Sequence, residues 1–244
     1  MTGNLQTRIT FDPAADSHPV WSPDGTRIAF ASARSGVSDL YVKSATGAGT
    51  EELLLKSPLL KHSSDWSRDG RWLVYTVTDP KTRRDVWVLS MSDRKPQPYL
   101  QTPFNESHAQ LSPDGRFMAY ESDESGIYEV YVRPFPDANT GKWQISSGGG
   151  GQPKWRPDGK ELFYLDSQKR LTAAAIKITG AALERSTPVA LFESNATGSY
   201  STAGGLSQRY GVLDNGQRFV VVQAADQGAN PPMDVVVNWV AGRK

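Results

Sequence analysis

Apolar residues in this chain cluster in short runs that never extend to helical length. Five of them are Arg27-Ile-Ala-Phe-Ala31, Arg71-Trp-Leu-Val-Tyr75, Arg116-Phe-Met-Ala-Tyr120, Glu161-Leu-Phe-Tyr164 and Arg218-Phe-Val-Val-Val222. Runs of this length, rich in aromatic and β-branched residues and without a 3.6-residue period, predict strands. Each follows a polar step, Asp-Gly or Asn-Gly, in which glycine accepts the positive φ of a tight turn. On the other side of the turn stands a short segment ending in Trp21, Trp66, Leu111, Trp155 or Val212, so each turn is expected to join two strands.

The turns recur. Trp21-Ser-Pro-Asp-Gly25 returns as Trp66-Ser-Arg-Asp-Gly70, Leu111-Ser-Pro-Asp-Gly115, Trp155-Arg-Pro-Asp-Gly159 and, more weakly, Val212-Leu-Asp-Asn-Gly216, with spacings of 45, 45, 44 and 57 residues. A third strand follows in each copy, at Asp39-Leu-Tyr-Val42, Asp85-Val-Trp-Val-Leu89, Glu129-Val-Tyr-Val132, Leu171-Thr-Ala-Ala-Ala175 and Asp234-Val-Val-Val-Asn238. A weaker fourth is seen at Glu52-Leu-Leu-Leu55 and Trp143-Gln-Ile145. Four short antiparallel strands per repeat describe the blade of a β-propeller. The expected fold is therefore all-β: one propeller domain over 1–244 with five blades, at about 17–56, 61–101, 107–146, 151–193 and 208–240. Thr7-Arg-Ile-Thr-Phe11 resembles an outer strand, and residues 6–11 are expected to complete the last blade and close the ring into a monomer. The alternative is a piece of a six- or seven-bladed ring, whose open edges would favour a dimer.

The Trp-Ser-Pro-Asp-Gly units with strands such as Asp39-Leu-Tyr-Val42 resemble the TolB-type, WD-repeat-like propeller. With Lys142-Trp-Gln-Ile-Ser146, Lys160-Glu-Leu-Phe-Tyr164 and Asn238-Trp239, the chain is also similar to propeller regions C-terminal to bacterial serine/threonine protein kinases. The resemblance spans roughly residues 6 to 242. It implies a non-catalytic module that holds a protein or peptide, although one fold hosts many functions.

Composition narrows the chemistry. The 244 residues carry 27 Lys+Arg against 26 Asp+Glu, a net charge of +1, which argues against coating nucleic acid. Without cysteine there is no disulfide, thiolate zinc cluster or cysteine nucleophile. No apolar run has the length of a membrane span or of a signal-peptide core, so no membrane insertion is expected. The chain reads as soluble and cytoplasmic as given, with the periplasm open to a longer parent protein. Kinase motifs and a Gly-x-Ser-x-Gly elbow are absent, which excludes a kinase domain and a serine-triad peptidase within these residues. Ser146-Ser-Gly-Gly-Gly-Gly151 leads into a strand rather than a helix, so a connection between blades is expected there, not a phosphate loop. Asn105-Glu-Ser107 and Asn195-Ala-Thr197 fit the glycosylation sequon, a pattern that matters only in a eukaryotic secretory setting.

The three histidines carry the remaining chemistry. His18 and His108 stand three residues before Trp21 and Leu111, two periods apart, while His62 stands four before Trp66. Residues just ahead of the turn unit gather where the innermost strands begin, at one mouth of a propeller channel. Three imidazoles there are expected to hold a divalent, Zn-like metal with a position open for water or substrate. Asp16, Asp65 and Glu106 are candidate carboxylates to orient an imidazole or act as general base, and Arg209 a candidate to stabilise a developing oxyanion. Gln152, Arg34 and Arg83 are candidate contacts to a small-molecule substrate. The alternative for the histidines is structural, holding blades together through loop backbone. Asp24, Asp69, Asp114 and Asp158 are assigned to turn chemistry, and the strand Trp, Tyr and Phe residues to the core between blades. Two functions follow: metal-dependent hydrolysis of a small ester, lactone or phosphoester, and a non-catalytic propeller that binds a protein or ligand.

Overall fold

The computed structural model describes residues 8–194 and 208–222, together with the backbone of 235–237. The chain divides into two compact units, Met1–Gln101 and Thr102–Lys244. In the first unit, β1 (Asp16–Trp21), β2 (Arg27–Ser32), β3 (Asp39–Ser44) and β4 (Glu52–Leu55) form one antiparallel sheet. A second sheet contains β5 (Leu60–Trp66), β6 (Trp72–Asp79), β7 (Arg83–Ser90) and β8 (Pro96–Leu100).

The second unit repeats the plan with β9 (Glu106–Leu111), β10 (Phe117–Ser122), β11 (Glu129–Pro134) and a two-residue β12 (Trp143–Gln144). Its next sheet has β13 (Gly150–Trp155), β14 (Glu161–Asp166), the long β15 (Arg170–Thr179), β16 (Ala182–Arg185) and β17 (Val189–Glu193), with β17 in the outer-strand position. A three-stranded sheet follows, built of β18 (Tyr210–Leu213), β19 (Arg218–Val221) and β20 (Val235–Val237). Of the segment expected to close a ring, residues 6 and 7 lie outside the described residues, and 8–11 form no strand among them.

The turn chemistry explains why each inner strand reverses where it does. Ser22 Oγ donates to Asp24 Oδ1 at 2.5 Å, Thr26 N donates to the same oxygen at 3.0 Å, and Arg27 N donates to Ser22 Oγ at 2.9 Å. The same bonds recur at Ser67/Asp69 and Ser112/Asp114. At Asp158, Arg156 Nη2 takes the place of the serine, donating at 2.5 Å. The Ser22 hydroxyl and the Thr26 amide hold the Asp24 carboxyl down at about 2. These aspartates are consumed by the turns and stand at the far end of the strand from the histidines.

Neighbouring sheets within a unit pack face to face. Leu40 and Val42 of the first sheet meet Leu73, Tyr75 and Leu89 of the second, with Trp66 in the same cluster. In the second unit, Val130, Val132 and Ile145 meet Trp155, Leu162 and Tyr164. Phe163 sets its ring edge-on to Phe219, centroids 5.0 Å apart.

Two expectations are corrected. Trp21 is not core: it is 57% exposed, whereas Trp66 and Trp155 are 5% and 7% exposed. The buried indoles are covered from the preceding sheet, Trp66 beneath the Arg27 guanidinium and Trp155 donating its Nε1–H to Gln110 O at 3.3 Å. Among the described residues of its unit, β1 is the first strand, and Trp21 has no such cover from a preceding sheet. The other correction is β15, which runs beyond Ala175 and returns through Gly180 as β16. This added hairpin places Ile176 and Leu183 against Phe117, and Arg185 Nε donates to Gln144 O at 2.7 Å.

The glycine-rich run is a tied connection between sheets. Gly150 N donates to Tyr128 O at 2.9 Å and Gly149 N to Glu129 Oε1 at 3.0 Å. A Cβ on Gly150 would stand 2.6 Å from Ser146 Cβ and 3.1 Å from the Tyr164 ring. Gly150→Ala is therefore expected to cost about 1–3 kcal/mol through overpacking, read as a lower urea midpoint with an unchanged m-value.

Candidate functional site

The inner strands are bulged near their starts, between Ser17 and Val20 in β1, Ser107 and Gln110 in β9, and Gly151 and Lys154 in β13. At the bulge the backbone turns left-handed on a residue with a side chain: His18 at φ 53°, His108 at φ 50° and Gln152 at φ 55°. Such a conformation costs about 1–2 kcal/mol per residue, and a bulge re-aims the side chain that carries it. By the repeat, Ser63 is the counterpart of His18, and Arg209 that of Gln152. His62 stands one residue earlier, opposite Thr76, where the other inner strands carry Ser17, Ser107 and Gly151.

A one-residue shift along a strand turns a side chain to the opposite face of its sheet. In stacked sheets that shift brings two rings together. His62 of β5 meets His18 of β1 with Nδ1 atoms 3.2 Å apart and ring centroids 4.4 Å apart. The Ser63 hydroxyl donates to the His18 carbonyl and fixes the pair. Burial, then the charge of His18, then that of Arg84, push His62 down to about 4. The unfolded chain therefore binds a proton at His62 between about 6.5 and 4 that the folded chain refuses. Stability is expected to be intact above that window and to fall as pH drops through it. Unfolding of chelator-treated protein across that range should show the slope, and His62→Asn should flatten it.

In the second unit His108 is buried and its Nδ1 donates to Glu121 Oε1 at 2.7 Å, where Ser107 Oγ also donates at 2.7 Å. Gln152 N donates to Glu121 Oε2 at 2.8 Å, Arg209 N to Gln152 Oε1 at 2.8 Å, and the Tyr210 hydroxyl to Gln152 O at 2.8 Å. One chain of bonds thus joins β9, β10, β13 and β18. Burial alone would raise the Glu121 carboxyl, but His108 and the three donated hydrogen bonds bring it below its ordinary value.

Comparison with known proteins bears on the fold. No family model matches the sequence. An uncharacterized protein of Agrobacterium fabrum is 23% identical over 156 residues, covering 59% of this chain and 53% of that protein. The crystal structure of TolB from Acinetobacter baumannii superposes with a TM-score of 0.67 at 19% identity, over 89% of this chain and 51% of that one. A putative TolB from Agrobacterium tumefaciens gives a TM-score of 0.57 at 19% identity, over 70% of this chain and 64% of that one. The fold is a TolB-like β-propeller. The chain spans about half the length of the first curated relative and of the Acinetobacter structure.

In this TolB-like propeller the other predicted residues are placed as follows. Asp16 lies 3.5 Å from Arg34 Nη2, and Arg34 also lies 3.6 Å from Glu51 and stacks 4.4 Å over the Tyr41 ring. Arg34 is therefore held within its own blade. Glu106 is buried and accepts from Thr102 Oγ1 at 2.5 Å. Asp65 lies past the bulge beside Trp66, and Arg83 is exposed on the β6–β7 turn opposite Asp79. Gln152 is fully buried, its side-chain oxygen taken up by Arg209 N. Among the described residues no group of three or more His, Asp or Glu side chains is arranged to hold a metal ion. The Asn105 sequon nitrogen donates to Asp123 Oδ2 at 2.7 Å, and the Asn195 sequon lies outside the described residues.

Sequence reasoning missed a second set of polar residues, the acid at the head of the third strand in the first three sheets. Asp39 accepts from Lys61 Nζ at 2.9 Å and Ser57 N at 3.2 Å; Asp85 accepts from Thr82 Oγ1 at 2.6 Å; Glu129 accepts from Gly149 N at 3.0 Å. Burial raises the Asp85 carboxyl above its ordinary value. The signal lies in the periodic Asp39, Asp85 and Glu129, where an acid stands at a strand start that hydrophobic patterning alone does not explain. Glu121 was missed too, and it has no periodic signal.

Proposed function

We propose that this TolB-like propeller is a non-catalytic binding module in which each unit holds an extended segment of a partner protein at the strand-start ends of its own blades. The observation that carries the reading is an apolar residue repeated at the equivalent loop of each unit. Val37, in the β2–β3 loop, is 37% exposed and Ile127, in the β10–β11 loop, is 50% exposed. The first residue of β5 and the segment leading into β9 add exposed Leu60 and Phe104 at the same ends of their blades. Exposed apolar residues set among polar loops suit contact with another protein. The polar groups beside them are engaged in bonds between strands, with His108, Glu121 and Gln152 buried. The resemblance to TolB-type propellers supports the same reading.

The test is selection of binders from a random peptide library on the full chain, followed by calorimetric titration of a selected peptide. Val37→Asp is expected to weaken binding of a peptide held by the first unit, and Ile127→Asp that of one held by the second, about ten-fold or more, as loss of an apolar anchor does. Peptides that bind both variants as tightly as the parent would overturn the reading.

The second reading is a metal-dependent hydrolase of a small ester, lactone or phosphoester that uses His18, His62 and His108. The close approach of the His18 and His62 Nδ1 atoms favours it. It requires zinc-dependent turnover of a model ester that His18→Ala abolishes, whereas the binding module is expected to show none.

A further inference from the structure

We propose that the Nδ1 atoms of His18 and His62 form a two-imidazole site for one divalent transition-metal ion of the zinc, nickel or copper class. The separation carries the inference. Two nitrogens bound to one tetrahedral ion at about 2.0–2.1 Å must lie about 3.3 Å apart, and here they lie 3.2 Å apart. The ring planes are inclined by 55°, so neither ring stacks on the other.

The sequence prepares the pair in two ways. In β9 the equivalent histidine, His108, gives its Nδ1 to Glu121, but the residue in that place in the first blade is Ala31, opposite Ser17. The place that Glu121 holds in the third blade is thus filled by an alanine in the first. Ser63 then anchors the His18 carbonyl one residue beyond His62, which fixes the spacing from the backbone.

Both rings are half-buried, so one side of the pair meets solvent. Neutral imidazole donors select zinc, nickel or copper over magnesium or calcium. The ion enters with both Nδ1 lone pairs donating, the proton shared between them moving to Nε2 of the same ring. With two protein ligands, the remaining positions belong to water or to a donor group of a bound molecule. Two protein ligands hold an ion less tightly than the four of a closed zinc centre. The site does not depend on the binding reading, and the two are tested separately.

The experiment titrates copper(II) or nickel(II) into the chelator-treated full chain by calorimetry, with the copper form examined by electron paramagnetic resonance. Replacements are borrowed from the repeat so that the fold is kept: His18→Gln, the residue of Gln152, and His62→Ser, the residue of Ser17 and Ser107. Circular dichroism checks each fold. One equivalent is expected to bind, with nitrogen splitting from two imidazoles. Each variant should weaken binding about ten-fold or more, while His108→Asn leaves it unchanged. Absence of binding by the parent chain, or binding that survives both replacements, would overturn the site.

Discussion

Glu121→Ala is expected to destabilise the protein by about 3–5 kcal/mol, because it removes one partner of a buried charged network and leaves the others unmatched. The carboxylate accepts from Ser107 Oγ, His108 Nδ1 and Gln152 N. Without it three donors are stranded away from water. Glu121→Gln keeps the shape but turns an amide N–H toward either Gln152 N–H or the Ser107 and His108 donors, and is expected to cost about 1–3 kcal/mol. The loss should grow less marked in acid. The Glu121 carboxyl is held below its ordinary value, so its contribution is present above the unfolded value of 4.5 and disappears as pH falls through the folded one. Urea unfolding at neutral and acid pH measures both effects, and the double variant with His108→Leu should recover part of the loss if the pair is coupled.

Lys61→Met is the second large effect, again about 3–5 kcal/mol. Lys61 is fully buried, donating from Nζ to Asp39 Oδ1 at 2.9 Å, Ser57 O at 3.0 Å and Leu59 O at 2.5 Å. Burial alone would raise the Asp39 carboxyl; hydrogen bonds from Ser35, Lys61 and Ser57 hold it below its ordinary value. Removing Lys61 strands that charge, so the loss should be greatest where Asp39 is ionised. Lys61→Met with Asp39→Asn is expected to regain most of the stability, since a buried ion pair replaced as a whole is often near neutral. Equal loss in the single and double variants would contradict this role for the pair.

The residues that could be read from the sequence are those whose function is local. Ser22-Pro-Asp-Gly25 and its copies announce their turns because the serine, aspartate and glycine satisfy the turn by themselves. The strand order of the first three blades follows from the same period. The β15–β16 hairpin was not legible, since Ile176 and Ile178 read equally well as the end of a strand or the start of a connection.

The polar framework was hidden for a different reason. The place of Glu121 is held by Ala31, Thr76 and Leu165 in the other blades, so no period marks it. Lys61 likewise stands where other inner strands carry Asp16, Glu106 and Gly150. Taken by register alone, the one-residue offset turns the His62 ring to the opposite face of its sheet from the place His18 holds in its own. Face alternation in stacked sheets makes that same offset the cause of their contact. The period locates the inner strands, but only packing reveals which of their side chains meet.

Hydrogen-exchange mass spectrometry of the full chain, with and without a library-selected peptide, tests the binding account most directly. Protection is expected in the loops at 33–38 and 123–128 and in the segments leading into β5 and β9. Protection confined to the Asp-Gly turn ends, around Asp24 and Asp114, would contradict it.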